Sequence, residues 1–528
     1  MNMDKSREAQ SPLDCISAVL RRYISRFDIY VFSSTFVLTF LVHMYMFTHK
    51  FINLDDIDGL CRKIDLLPSG RWLLGFATGI NGYFSSSWLG ALFSAFYLAV
   101  AAVLIIRMLR VKRFLPAVLI CACLVSFPTI TSTFTYMFCA DQYILALMLS
   151  VVAAYMIKKE KWLLIILGGI VLSLSMGIYQ SYFPLAAALL VMSMLVDAIN
   201  SGYTSFKDFI IVGLKYVVGL AVGMILYFII LKICLKVNNV ELTNYQGISS
   251  MGMVTFSELI ERIKDAYTTF MPFYFNKFTV FGVNKTIFHS FFKYITAAAF
   301  VFDAIAIVVI FKQRRLYKSA STVAATVILL ALFPLACDLI CIMSGSFSVH
   351  LVMVFPKVLP LMLPAVLASN IDFPAAGAKG VGTVALTCAL LLSQFACAYE
   401  FLLIDNRAYF DMDLTYESTY AFMTKLTAKI ELQEGFTPNS PVALIGTADM
   451  GSIIPNSSIT GVDAGNMAAN IYSRRAFLSY FISSNYNYAD RDTWYPIYLS
   501  DEFADMPCYP SEGSIKEIDG VIVVKFSD

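Results

Sequence analysis

Residues 162–199 read WLLIILGGIVLSLSMGIYQSYFPLAAALLVMSMLVDAI. As one run this is far longer than the roughly 20 apolar residues that carry a helix across a bilayer. Gly177-Ile178-Tyr179-Gln180-Ser181-Tyr182-Phe183-Pro184 interrupts it with turn formers, and proline starts or ends a helix. Two short spans, about 162–178 and 183–199, joined by a tight outer turn are therefore predicted. The choice fixes the parity of everything downstream. With one span, the cluster Lys312/Arg314/Arg315/Lys318 would move outside, against the excess of Lys and Arg in cytoplasmic loops.

Working outward, further apolar runs lie at about 29–48, 88–107, 114–131, 139–157, 209–233, 293–311, 319–342, 349–369 and 381–400, eleven spans in all. Composition agrees: 58% of the 528 residues are hydrophobic, only 14% are charged, and the mean hydropathy is +0.70. Such a chain is a polytopic, mainly α-helical membrane protein. Arg107/Arg110/Lys112/Arg113 and Lys158/Lys159/Lys161 fall on the same side as the 312–318 cluster and as Arg21, Arg22 and Arg26, whereas loops 132–138 and 343–348 hold no Lys or Arg. The N-terminus (1–28) is thus expected in the cytoplasm, a membrane domain over 29–400, and an odd count puts 401–528 outside.

The net charge of +2 conceals an asymmetry. Residues 400–528 hold 8 Lys+Arg against 18 Asp+Glu, a charge of −10, which leaves +12 for the rest. Strand-like Val442–Ile445 and Val521–Val524 and a helix over about 416–434 predict a small mixed α/β domain there. Its aromatics Tyr486, Tyr488, Trp494, Tyr495 and Tyr498 suit stacking on sugar rings, or equally the face of a folded cap. Neither half invites nucleic acid. Cysteines such as Cys121, Cys123, Cys337, Cys341, Cys388 and Cys397 sit in apolar runs as small hydrophobes, and only Cys61 and Cys508 share an oxidising side where a bridge is conceivable.

Two outer loops, 49–87 and 234–292, are long. In the second, Phe256, Leu259, Ile260, Ile263, Tyr267 and Phe270 recur at helical spacing, which predicts an amphipathic helix on the membrane surface or on the protein's own loops. Lys277, Lys285 and Lys293 follow among aromatics, a mixture that suits a lipid headgroup or plain interfacial anchoring.

The first outer loop carries Asn53-Leu54-Asp55-Asp56-Ile57-Asp58 and then Ser69-Gly70-Arg71-Trp72. Walker, GxGxxG, HExxH and GxSxG patterns are absent, so nucleotide, dinucleotide, zinc and serine-hydrolase chemistry lack their carriers. Acids just outside membrane spans, with cations near them, remain. Sugar transfer from a phospholipid needs a base for the acceptor hydroxyl and positive charge for the departing phosphate, so one Asp and one Arg or Lys suffice. Asp55 and Asp56 are adjacent and point apart, with Asp58 able to share a face with one of them. The competing reading is an acidic loop that merely caps a helix.

Taken together, Asp55-Asp56, Gly70-Arg71-Trp72, Tyr136-Met-Phe-Cys-Ala-Asp141-Gln142, Gly177-Ile-Tyr-Gln-Ser181, Asn406-Arg-Ala-Tyr409 and the closing Gly520–Lys525 resemble, in order and spacing, the type II serotype-converting glucosyltransferases. That resemblance implies a GT-C-like architecture in a bacterial plasma membrane, an undecaprenyl-phosphate-linked sugar, glucose by expectation, as donor, and a surface glycan such as O-antigen as acceptor. It also implies a catalytic Asp at 55 or 56, with Arg71 as a phosphate or sugar contact. No cofactor is required; a divalent metal ion is compatible with the scheme.

Lower-ranked candidates complete the set. Asp141 and Gln142 open a span on the outer side, where an acid at a helix N-terminus is favoured whatever its role. Tyr179 and Gln180 suit sugar hydrogen bonds or an interhelical pair. Lys357 lies at span depth, where a lysine is costly unless it faces a cavity or an anion. It is read as a lipid-phosphate contact, with snorkelling as the competing account and Asp303 or Asp338 as alternative buried partners. The resulting expectation is an inverting glycosyltransferase, and the rivals are a flippase or transporter of lipid-linked sugars and a scaffold without a site.

Overall fold

The computed structural model describes residues 23–49, 52–60, 63–64, 66–243, 255–275, 278–280, 283–343, 349–373, 378–448, 468 and 470–528. The chain is mainly helical. In order, the principal helices are α1 (Arg26–Thr48), α2 (Ser87–Met108), α3 (Phe114–Ser126), α4 (Pro128–Phe134), α5 (Ala140–Ile157), α6 (Trp162–Ile178), α7 (Phe183–Ser201), α8 (Phe206–Asn238), α9 (Phe256–Tyr274), α10 (Phe292–Gln313), α11 (Ala320–Cys337), α12 (Val358–Asn370), α13 (Ala378–Glu431), α14 (Ile471–Phe481) and α15 (Arg491–Tyr498). Among the described residues, eight helices are long and apolar enough to cross a membrane: α1, α2, α5, α7 with its preceding turn, α8, α10, α11 and α13. Counting α3 and α4 as one span makes nine. They meet at a 44° bend because Pro128 excludes helical geometry at Phe127, which is extended with ψ 132°. Helices α6 and α12 have 17 and 13 residues and fall short of that length.

The ends of the helices sort into two sets. At one end Arg107 pairs with Asp28 at 2.7 Å, Arg110 with Asp197 at 2.8 Å, and Lys158 reaches the Met108 carbonyl at 2.8 Å. There Arg314 binds the Ile199 and Asn370 carbonyls and Asp372, whose carboxyl it holds below its usual range. The basic clusters thus share one face. Since Glu160, Ser201 and Lys215 lie there as well, α6 rises from that face and α7 returns to it. Tyr179, extended at φ −153° and ψ 110°, makes the predicted turn between them at the far end.

The composition change near residue 400 leaves no break in the backbone. Helix α13 is continuous over 54 residues, about 80 Å, so the separate helix expected at 416–434 is its distal half. Beyond it lies a four-stranded sheet of β3 (Pro441–Ile445), β4 (Asn487–Tyr488), β5 (Ile515–Ile518) and β6 (Val521–Lys525), ordered β4-β3-β6-β5, while β1 (Phe278–Val280) and β2 (Val283–Lys285) form a small ladder between α9 and α10. Strand β3 is parallel to β4 and β6, and β5 joins β6 antiparallel. Both faces are covered, as a parallel arrangement requires. Val442, Leu444, Ile522 and Val524 pack on Met423, Leu426 and Phe477 of α13 and α14, whereas Ala443, Ile445, Val521 and Val523 pack on Ile497, Phe503 and Met506. Cys508 is a free thiol, and Cys61 lies outside the described residues.

Helix α9 begins with a reciprocal Thr255/Glu258 capping box. Its C-terminal half is buried through Phe270, Phe273 and Tyr274, but Phe256, Ile260, Tyr267 and Met271 stay exposed as an apolar stripe. Both of its expected contacts are therefore available to it, on different stretches.

Candidate active site

The loop between α1 and α2, expected on the outer side, is built around Asn53. Its side-chain oxygen accepts from the amides of Asp55 (2.8 Å) and Asp56 (3.0 Å), and its Nδ2 donates to the Thr135 carbonyl at 2.6 Å. This local turn sends the two carboxylates in opposite directions. Asp56 is fully buried and accepts from the backbone amides of Phe138 (2.9 Å) and Asn53 (3.3 Å). Burial pushes its carboxyl up to about 8, against the pull of those amides. Asp55 is exposed, and its Oδ1 accepts from the Tyr472 hydroxyl at 3.0 Å. Asp58 lies in the same helical turn, Asp56–Gly59, with its side chain outside the described part.

Tyr472 brings the tail to the membrane domain. It stands in the first turn of α14, and Ile52 and Ile57 of the outer loop belong to the same apolar cluster as Leu426, Leu444 and Phe477. The tail and the first outer loop are one packed unit, a contact that composition does not announce.

Arg71 donates to the Tyr143 hydroxyl at 2.7 Å and lies over the ring of Tyr179 at 5.0 Å; the two tyrosines stack at 4.2 Å. Trp72 packs against Gly177, where a Cβ would stand 2.6 Å from the indole, and the Leu73 amide donates to the Gly177 carbonyl at 2.8 Å. Gln180 donates to the Ser69 carbonyl (2.9 Å) and to the Tyr227 hydroxyl (3.0 Å), which in turn donates to the Gly70 carbonyl. Tyr179 and Gln180 therefore hold the arginine turn in place.

Asp141 is buried at the start of α5. Asn81 Nδ2 donates to both of its oxygens at 3.3 Å, and Gln142 Nε2 donates at 3.0 Å. The buried oxygens Asn81 Oδ1 and Gln142 Oε1 have no partner among the described residues. Arg71, Asp56 and Asp141 all lie within electrostatic reach of the Cys139 thiol, so the Tyr136–Asp141 turn has three ionisable groups around it.

Lys357 is elsewhere. It is 2% exposed, pairs with Asp338 at 2.5 Å and lies under Phe270 and Phe273 of α9 at 5.5 and 5.2 Å. Of its two alternative partners the structure chooses Asp338; both oxygens of buried Asp303 lack a hydrogen-bond partner among the described residues. Lys293 is exposed beside the Tyr294 ring, Lys277 lies outside the described residues, and of Lys285 only the backbone is described.

Sequence reasoning passed over a polar group inside the bundle. His43 Nε2 lies 2.9 Å from the Val125 carbonyl and must donate to it, which leaves Nδ1 to accept from the Tyr409 hydroxyl at 2.7 Å. Asp405 accepts from Thr131, and Glu400 accepts from the amide and ring of His289. An ionisable residue inside an apolar run was the available signal. That signal marks His43 and Asp405 as it marks Lys357. Among the described residues no three His, Cys, Asp or Glu side chains converge as a metal site.

No curated protein matches the chain. A family model described as glucosyl transferase GtrII matches residues 44–361, which takes in the first outer loop, Arg71, Asp141 and Lys357 but not the tail. With more than half of its length so matched, the chain belongs to the glucosyl transferase GtrII family of glycosyltransferases.

Proposed function

We propose that the protein moves glucose from a polyprenyl-phosphate donor, undecaprenyl phosphate being the expected carrier, to an O-antigen-like surface glycan on the outer face of a bacterial plasma membrane. Asp55 is the base and Arg71 the phosphate contact. As the acceptor hydroxyl oxygen attacks the anomeric carbon, its proton passes to Asp55 and the bond to phosphate breaks, so polyprenyl phosphate leaves with the electron pair. One displacement inverts the anomeric centre. The observation that carries this reading is the division of labour in the outer loop: Asp55 is exposed while Asp56 is consumed by backbone amides. A base must reach the acceptor hydroxyl.

In this reading Arg71, stacked on two tyrosines, presents its planar fork to the departing phosphate, and a divalent ion is not required. Trp72, Tyr179 and Gln180 brace the arginine turn, Asp141 and Gln142 are further sugar contacts, and Lys357 serves the bundle through Asp338. The membrane domain is GT-C-like with eleven crossings, α6 and α12 among them. The face that gathers the Arg and Lys side chains lies in the cytoplasm, which leaves the tail outside.

The test is release of polyprenyl phosphate from polyprenyl-phosphate glucose by the purified protein when acceptor glycan is added, and its loss in Asp55→Asn. Donor that binds and crosses the bilayer but is never cleaved would establish the flippase reading instead.

A further inference from the structure

The tail holds a second, separate constellation. Beyond the carboxyl end of β3 the chain turns through Gly446 (φ +87°), where a Cβ would stand 2.6 Å from the Ser527 amide nitrogen. A cavity of about 230 Å³ opens there, walled by Gly446, Thr447, Asn470, Arg474, Arg475 and Trp494. In open parallel sheets this is the side on which ligands settle, and α14 begins at the same place. Arg474 is 1% exposed. One of its nitrogens donates to the Gly446 carbonyl at 3.0 Å, but Nε and Nη1 are buried without a partner among the described residues, as is Nε of Arg475.

Such an arrangement is costly. Two guanidinium groups line one cavity, and neither makes an ion pair among the described residues. Burial and the neighbouring Arg475 pull Arg474 down to about 10. Orphaned buried donors on a charged group cost free energy that a charge-matched partner would recover. The groups are nevertheless held firmly, Arg474 over the Phe526 ring and Arg475 over the Tyr488 ring, each at 4.4 Å. Rigid planar forks with free donors are what two-pronged recognition of a phosphate or carboxylate uses. Trp494 adds a flat apolar wall suited to a sugar ring.

We infer that this pocket binds an oxyanion, phosphate or carboxylate, borne on a sugar of the acceptor glycan. The name of the carrier rests on the transfer reading above; the oxyanion site does not. Among the described residues every wall residue belongs to the tail and none to a membrane-crossing helix, which favours a water-borne group over a lipid phosphate. Arg474 and Arg475 lie on the same short helix as Tyr472, whose hydroxyl bonds Asp55. An acceptor anchored here by its charge has its neighbouring sugar delivered toward the outer loop.

Isothermal titration of the detergent-solubilised full chain with inorganic phosphate, with glucuronate and with a short-chain polyprenyl phosphate tests this. Phosphate and glucuronate are expected to bind at one saturable site. Arg475→Gln, half-buried and outside the apolar cores, should weaken both at least tenfold, and Arg474→Lys, which keeps the charge but not the fork, should do the same. Absence of saturable binding of phosphate and glucuronate, undiminished affinity in both variants, or binding of polyprenyl phosphate alone overturns the inference. The readout is independent of catalysis: a parent protein that binds phosphate through Arg475 but transfers no sugar removes the transfer reading and leaves the oxyanion site standing.

Discussion

Asp55 and Asp56 differ by one position and by everything that matters chemically. Asparagine at 55 keeps size and polarity but cannot take a proton, so transfer in Asp55→Asn is expected to fall by about 10²–10⁴-fold while the protein still inserts and binds donor. Steady-state transfer beside a donor-binding measurement checks this, and a variant at parental rate removes Asp55 as the base. Asp56 should instead show itself in stability. Its folded-state value of about 8 stands above the ordinary 3.8 because burial favours the neutral acid. The folded chain therefore holds a proton that the unfolded chain releases, and the stabilisation, complete below about pH 4, is lost as pH rises through about 8. Thermal unfolding followed across that window should show the midpoint falling with pH, and Asp56→Asn should flatten the slope. Arg71→Lys retains charge but loses both the stack on Tyr179 and the fork; we expect at least a tenfold loss of transfer, and full activity in both Arg71→Lys and Arg71→Ala would move the phosphate contact elsewhere.

The elements carry their own tests. The extended Tyr179 between α6 and α7 and the buried pair between the end of α11 and the start of α12 hold short helices in register with longer ones. Removing one partner of Lys357–Asp338 leaves a buried charge alone and should cost about 3–5 kcal/mol. The double variant Lys357→Met/Asp338→Leu should recover most of that in a double-mutant cycle on unfolding. If Lys357→Met leaves stability untouched yet abolishes donor binding, the lysine is a phosphate contact and not a strut. Helix α6 was legible from apolar length and the Gly and Pro residues beyond its end, whereas the expected span at 349–369 is two 3-10 turns followed by the 13-residue α12. The continuity of α13 was not, because the shift from apolar to acidic side chains near residue 400 says where the solvent changes and nothing about where the backbone hydrogen bonds stop.

For the whole molecule the expectation is an outward tail. A cysteine placed at exposed Glu502 should react with a membrane-impermeant maleimide in intact spheroplasts; labelling only after the membrane is opened would reverse the orientation. The sequence by itself determined the membrane class, the break at Tyr179, the basic face, the strands Val442–Ile445 and Val521–Val524 and the family, because burial in lipid imposes long apolar runs and parallel strands impose short ones, and both are local patterns. It also marked the loop after the first span as a candidate, since carboxylates and an arginine at a span end are visible as letters. What only the tertiary structure decided was which atoms meet. That Asp56 turns into the backbone of residues 135–138 while Asp55 meets Tyr472, that Lys357 is consumed by Asp338, that His43 finds Tyr409, and that Arg474 and Arg475 face a cavity with donors to spare all depend on contacts between residues 19 to 417 positions apart. Side-chain pairing at that separation is set by how helices pack, and no period or spacing along the chain encodes it.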